Sequence, residues 1–309
     1  MAINRILKKQ VTNLQPGTII RGKFKGKSYQ IKGKLGEGAI GVVYLCQSNQ
    51  KTFALKISEK QTSMTMEVNV LKALEQVQGS RLGPALFDVD DWITPHGIYS
   101  FYVMEYIKGE SIEVFIRKNN AIWIGPLLLQ LIEKLEALHQ AGWVFGDLKT
   151  DNLIVSTSPP RIRWVDVGGI TQIGRSIKEY TEFFDRGHWA LGTRRAEPSY
   201  DLFSLVMVFL QIYYPKRFSR PEQGRDKYLF KKIDQVKEIR PYTLVLKKAI
   251  IGKYDSATQM KQELRQVLYK LQKQTSRSKK EEVNHLTLME SAWMSLIGFL
   301  YIIFSFLIG

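Results

Sequence analysis

Three polar side chains, Asp147, Lys149 and Asn152, sit in the run WVFGDLKTDNLIV (143–155), whose flanks Trp143, Val144, Phe145 and Leu153, Ile154, Val155 are apolar enough to be buried. Burying an unpaired carboxylate is costly, so these groups need partners, and a bound metal or substrate is one way to supply them. Asp147 can accept or orient the proton of a substrate hydroxyl, Lys149 can neutralise a migrating phosphoryl group, and Asn152 can hold a magnesium ion. Magnesium prefers oxygen ligands shared between protein and phosphates, so a second carboxylate is required. The stretch IRWVDVGG offers one, Asp166, at the end of another apolar run.

Phosphoryl chemistry needs a phosphate cradle upstream. LGEGAIGVVYL places Gly36, Gly38 and Gly41 in G-x-G-x-x-G spacing. The motif is weak alone. A dinucleotide site would want a helix straight after the glycines, whereas VVYLCQ reads as a strand; a glycine loop between strands is instead a flap that lays backbone N–H groups over phosphates. FALKIS then puts Lys56 in the middle of an apolar strand, where a phosphate contact is favoured over a solvated lysine. Its charge needs a counter-ion, and Glu67 is the natural partner. Glu67 falls in MTMEVNVLKALEQ (64–76), read as a helix with Met66, Val70 and Ala73 or Leu74 on one face.

The elements that must position these groups change character along the chain. Residues 30–57 alternate and turn like a small antiparallel sheet, and SFYVMEYI (100–107) is a further buried strand. From Ile122 the pattern becomes helical, with LLLQLIEKLEALHQAGW one amphipathic segment closed by Gly142. A strand-rich part followed by a helix-rich part argues for two lobes of one enzyme joined by YIKGES (106–111). No internal repeat is visible.

At 309 residues and 44% hydrophobic content the chain can bury a large core. Its single cysteine, Cys46, excludes an internal disulfide and a cysteine-based zinc cluster, which favours a reducing compartment, the cytosol by default. The four histidines, His188 among them, show no metal spacing and read as ordinary surface or core residues. The net charge of +16 is uneven: residues 1–34 carry nine Lys and Arg side chains and no acid. Such a field attracts polyanions, DNA or an anionic lipid surface, the alternative being a solvated basic face.

The N-terminus lacks the apolar run of a signal peptide. Ser291 to Gly309 is uncharged and apolar, and at about 1.5 Å per residue a helix of that length nearly crosses a hydrocarbon core of roughly 30 Å. A C-terminal transmembrane helix is therefore expected over 291–309. The polar, mostly basic stretch before it, 273–290, reads as a juxtamembrane linker on the cytoplasmic side. The expected localisation is the cell membrane, single-pass, with the rest of the chain in the cytosol and any signal arriving from that side.

Taken together, Gly36-Gly38-Gly41, Lys56, Glu67, VMEY, GDLKTDN and DVGG stand in the order and approximate spacing of eukaryotic-like (Hanks-type) protein kinases over roughly residues 28–272. With its C-terminal anchor the chain resembles the YabT-like membrane-anchored serine/threonine kinases of spore-forming bacilli. The resemblance implies an α+β, bilobal protein-kinase fold with a small β-rich N-lobe and a larger helical C-lobe, after a basic segment 1–27. It implies ATP and magnesium at the cleft, and transfer to Ser or Thr of cytosolic proteins. The nucleotide site it implies comprises Leu35, Gly36, Gly38, Gly41, Val43, Ala54, Lys56, Glu67, Met104, Glu105 and Tyr106, with Asn152 and Asp166 on the metal and Asp147 and Lys149 at the transferred group. A role in sporulation, self-association and stimulation by DNA or another polyanion join these expectations.

The chain also departs from the family's pattern. Phe145-Gly146 replaces the usual His-Arg, leaving no arginine to grip a phosphorylated activation loop. Val167 replaces phenylalanine after Asp166. Ala196-Glu197-Pro198 stands where Ala-Pro-Glu is expected, with Asp201 almost directly after it and Lys253 where the arginine that pairs with that glutamate is common. Ser176, Thr181 and Thr193 are candidate autophosphorylation sites. Two other classes compete: a kinase-like small-molecule phosphotransferase, suggested by the catalytic loop without His-Arg, and a pseudokinase scaffold, opposed by Lys56, Asp147, Asn152 and Asp166 all being present.

Overall fold

The computed structural model describes residues 13–77, 82–274 and 276. Six strands form the first layer: β1 (Ile19–Arg21), β2 (Ser28–Glu37), β3 (Val42–Ser48), β4 (Lys51–Ser58), β5 (Leu86–Thr94) and β6 (Gly97–Glu105). Their order in space is β1-β2-β3-β4-β6-β5, every neighbouring pair antiparallel. Because side chains alternate across a strand, Leu55 and Ile57 enter the core with Ile31, Tyr44, Phe101 and Val103, and Lys56 is turned to the opposite face. Cys46 is buried in the same core, and burial pushes its thiol up to about 12, so it stays a protonated packing group.

The sheet begins earlier than residue 28. β1 lies within the segment expected to be a basic extension, and Ile20 in it is fully buried. Two of that segment's lysines already face an internal acid: Lys25 lies 2.6 Å and Lys27 3.8 Å from the buried Asp88. A strand of three residues is too short to show periodicity, which is why the sequence pattern missed it.

α1 (Gln61–Glu75) packs beside β6 and carries Glu67. Its buried face is Met64, Glu67, Val68, Leu71 and Leu74; of the expected face Met66, Val70 and Ala73 or Leu74, Leu74 is buried but Met66 is exposed, so the helix is rotated from that face. Counting apolar residues alone cannot find a buried face that includes a carboxylate.

The second lobe follows residues 106–109. It holds β7 (Glu110–Ser111), α2 (Ile112–Asn119), α3 (Ile124–Gln140), β8 (Trp143–Val144), β9 (Leu153–Thr157), β10 (Pro160–Trp164), β11 (Thr171–Gln172), α4 (Pro198–Tyr213), α5 (Arg225–Gln235) and α6 (Thr243–Ile250). α4 buries every residue from Tyr200 to Ile212 and packs against α3 and α6, and Pro198 opens it where the missing N–H costs nothing. Residues up to Lys261 form one compact unit; a second begins at Gln262, with residues 262–274 helical. Among the described residues no helix is long and apolar enough to cross a membrane. Residues 291–309, where the span is expected, lie outside the described residues.

Candidate active site

Between the sheet and the helical lobe lies a cleft of about 670 Å³. Leu35, Gly36, Gly38, Gly41, Val43, Ala54, Lys56, Met104, Glu105, Tyr106, Lys149, Asn152 and Asp166, all in the set that the resemblance implies, line it. Glu67 and Asp147 stand one contact behind. The sheet register explains the grouping: Val43 is opposite Lys56, Ala54 is opposite Met104 and Lys56 is opposite Tyr102. Gly41 is held close to the neighbouring strand, where a Cβ would sit 2.4 Å from the carbonyl oxygen of Ile57, while Gly36 faces open space above the cleft. Glu105 contributes differently from its neighbours. Its carboxylate is engaged by Arg163 at 3.1 and 2.8 Å.

Lys56 is 4% exposed and its Nζ donates to Glu67 Oε1 at 2.8 Å, with Asp166 Oδ1 at 3.5 Å. Tyr102 donates its hydroxyl to the other Glu67 oxygen at 2.8 Å. Burial alone would drive Lys56 toward neutrality, but Asp166 and Glu67 outweigh it and its pKa is raised. Burial would likewise raise Asp166, yet Lys56, the Gly168 N–H and Lys149 hold its carboxyl below the ordinary range. Both groups are therefore ionised at neutral pH, a buried cation beside an anion.

On the floor of the cleft, Asn152 Nδ2 donates to the Asp147 backbone oxygen at 2.9 Å, which leaves its own side-chain oxygen without a hydrogen bond among the described residues. Asn152 and Asp166 both line the cleft, and each carries a hard side-chain oxygen. Lys149 Nζ contacts Asp147 Oδ2. The opposite oxygen, Oδ1, accepts the hydroxyl of Thr181 at 3.1 Å, and Lys149 Nζ lies 3.5 Å from that hydroxyl. An alcohol thus rests on one carboxylate oxygen of Asp147.

Phe145-Gly146 has a backbone explanation. Phe145 packs edge-to-face on Trp164 at 4.9 Å, and the N–H groups of Phe145 and Gly146 donate to the fully buried Asp201 at 2.7 and 3.0 Å. His139 donates to the same carboxylate at 2.9 Å. Asp201 and His139 are thus positioning residues that motif reading missed; the signal available was an aspartate in the first turn of an otherwise apolar helix. Gly146 has φ +79, and a Cβ there would meet the Gly169 oxygen at 2.5 Å. Gly146→Arg, which would restore the family's usual residue, is expected to destabilise the fold by roughly 1–3 kcal/mol and to slow transfer. A melting curve and a rate assay check this; a variant as stable and as fast as the native protein would refute it.

The segment from Asp166 to Glu197 is tied down by its own side chains. Asp185 accepts from the N–H groups of Gly187 and His188, from Arg194 and from the Tyr200 hydroxyl, each within 2.9 Å. Arg186 donates to Glu197 and Ser199 at 2.7 Å and to the Leu191 oxygen at 3.0 Å. Glu197, whose ion-pair partner the sequence left open, therefore pairs with Arg186 from within the segment. These bonds order the segment without a phosphate. Accordingly Ser176→Ala and Thr193→Ala should leave the transfer rate within about twofold, whereas Asp185→Ala should lower the melting temperature, at roughly 1–3 kcal/mol per buried donor left orphaned. Loss of activity in Ser176→Ala or Thr193→Ala would show that a phosphate at that residue is needed after all.

Comparison with known proteins agrees with this geometry. The family described as protein kinase domain matches residues 29–294. Serine/threonine-protein kinase YabT of Bacillus subtilis (strain 168) is 45% identical over 264 residues, 85% of this chain and 78% of that protein. The probable serine/threonine-protein kinase YbdM of the same strain is 28% identical over 191 residues, 55% of this chain and 70% of its own length. Serine/threonine-protein kinase PknG of Mycobacterium leprae (strain TN) is 28% identical over 174 residues, 52% of this chain and 22% of its own.

Proposed function

The chain belongs to the protein kinase family and is an ATP-dependent serine/threonine protein kinase; from that premise we propose that transfer runs through Asp147, Lys149, Asn152, Asp166 and Lys56, with magnesium as the metal. The observation that carries the assignment is the Thr181 hydroxyl resting on Asp147 Oδ1 beside Lys149. The cleft fits the implied group: it combines an open glycine flap, a buried lysine kept charged and two oxygen donors. Asn152 and Asp166 would hold the metal, Lys56 the phosphates, and the apolar walls Leu35, Val43, Ala54, Met104 and Leu153 the base. When bound, the metal–nucleotide complex supplies the phosphoryl group and neutralises its developing charge.

The protein's own part is positional and electrostatic. Asp147 orients the acceptor hydroxyl and takes its proton. Lys149 keeps that carboxylate and the developing negative charge balanced, and Asn152 fixes the loop that carries both by its bond to the Asp147 carbonyl. A radiolabel-transfer assay on the full-length protein with ATP and magnesium, followed by phosphoamino-acid analysis, tests the reading. Label on serine or threonine that is lost with a chelator supports it, and transfer unaffected by chelation overturns the metal assignment.

The proposal extends to membrane tethering by residues 291–309, with the kinase on the cytoplasmic side, and to stimulation by DNA or another polyanion. The apolar, uncharged C-terminal stretch and the net charge of +16 support it. Extraction of membranes with alkali should leave the full-length protein in the pellet. Stimulation by DNA should fade with salt: about four to six phosphate contacts would cost roughly 10²–10³-fold in affinity between about 50 and 200 mM. Salt-insensitive binding, or none at low salt, refutes the polyanion role.

A further inference from the structure

Next to Asp147 the molecule has a second concavity, of about 580 Å³, that the transfer chemistry does not use. It begins at Thr181, whose hydroxyl touches Asp147, and runs over Phe183 and Trp189 to Arg217, Phe218 and Arg220. Its walls are aromatic and interlocked: Phe218 stands edge-to-face on Phe183 at 5.1 Å and on Trp189 at 5.8 Å. Against these apolar walls stand two guanidinium groups, with Thr181, Glu182, His188 and Ser219 completing the lining.

Arg217 and Arg220 are both exposed to solvent, and Arg217 is anchored by its neighbours. Its Cζ lies 5.6 Å from the Phe183 ring centroid and 5.3 Å from that of Phe184, and its Nε donates to Gln211 Oε1 at 2.8 Å. Its backbone is left-handed, with φ +53, in a turn closed by a 2.8 Å bond to the Tyr214 oxygen. An arginine kept in that region is uncommon, and such strain gathers at ligand clamps. The two terminal nitrogens of Arg217 make no hydrogen bond among the described residues; Arg220 uses one of its own on the His188 carbonyl and has Nε and the other to spare. Paired, planar donors of this kind match a carboxylate or a phosphate ester. Glu182, the single acid lining the concavity, is exposed at its rim and leaves the two cations in excess.

We propose that this concavity selects protein substrates with an anionic side chain, carboxylate or phosphate ester, close in sequence to the accepted hydroxyl, gripped by Arg217 and Arg220. An extended chain advances roughly 3.3–3.6 Å per residue, so a site that starts at Thr181 serves positions one to about three residues from the acceptor. The inference rests on Asp147 being where the acceptor hydroxyl binds.

The test is a series of serine peptides with glutamate, phosphoserine, alanine or lysine at each flanking position, assayed with the full-length protein. The expected result is one position at which the anionic residues raise kcat/KM about tenfold over alanine and lysine lowers it; glutamate against phosphoserine distinguishes the two anions. In Arg217→Ala/Arg220→Ala the anion-to-alanine ratio should fall to near one, and in Arg220→Glu it should invert in favour of lysine. A flat series with the native protein overturns the proposal, and so does a ratio that survives in the double variant. Because the readout is a ratio, a variant that is merely damaged lowers all peptides together and counts against a specific role for these arginines. If no peptide is phosphorylated under any condition while nucleotide still binds, the placement of the acceptor at Asp147 fails instead.

Discussion

Asp147→Asn should slow phosphoryl transfer by roughly 10²–10⁴-fold, the usual worth of a positioned general base, while leaving nucleotide affinity within about twofold. The substitution keeps the shape of the side chain and one oxygen to orient a hydroxyl. It removes the charge that attracts the proton and the counter-charge of Lys149, which contacts Asp147 Oδ2. Asp147 is not among the side chains lining the cleft proper, so binding should not follow the rate. Single-turnover rates and a fluorescent-nucleotide titration separate the two quantities. A variant within tenfold of the native rate would mean that Asp147 does not take the proton.

Lys56→Met is the second large effect, and it reports on folding as well as chemistry. Lys56 and Glu67 are 4% and 2% exposed and 2.8 Å apart, so removing the lysine strands a buried carboxylate. Breaking such a pair typically costs about 3–5 kcal/mol. Transfer should also fall by at least about 10²-fold, the loss expected when one preorganised charge is withdrawn from a phosphoryl group. Adding Glu67→Gln should separate the consequences: the amide is neutral but still offers an oxygen to the Tyr102 hydroxyl, so most of the stability returns while transfer stays lost. Urea midpoints and rates on the native, single and double variants decide it. If the single variant unfolds at the native midpoint, the pair contributes no stability; if the double variant regains transfer, the lysine has no role at the phosphates.

The two effects differ because the sites are built differently. Asp147 is anchored by the backbone of its own loop and by Asn152, five residues on, so a local change there stays local. Lys56 and Glu67 come from a strand and a helix and join them through charge, so a change in either reaches the packing of the whole small lobe.

Local spacing was enough to find Gly36, Gly38, Gly41, Lys56, Asp147, Lys149, Asn152 and Asp166, because each motif lies within a few residues and each strand or loop displays it by its own geometry. It also identified Glu67, eleven residues from Lys56, although the helical face had to be rotated to include it. It could not find what acts across the chain. Asp201 reaches back 55 and 56 residues to the N–H groups of Gly146 and Phe145, Arg186 is the partner of Glu197, and the wall from Phe183 to Arg220 joins residues from two separate segments.

What the residues alone made legible is therefore the set of polar groups: a glycine-rich turn, a lysine in an apolar strand, and Asp147, Lys149, Asn152 and Asp166, in the order of a protein kinase. What tertiary packing decided is how those groups are held and aimed. A left-handed Gly146 under the Gly169 carbonyl disfavours an arginine, and side chains of the segment and of the helix after it order that segment. The physical reason is range: turns, alternation and charge pairing over a few residues are encoded where they occur, whereas a buried acceptor such as Asp201 acquires its partners only when the core closes around it.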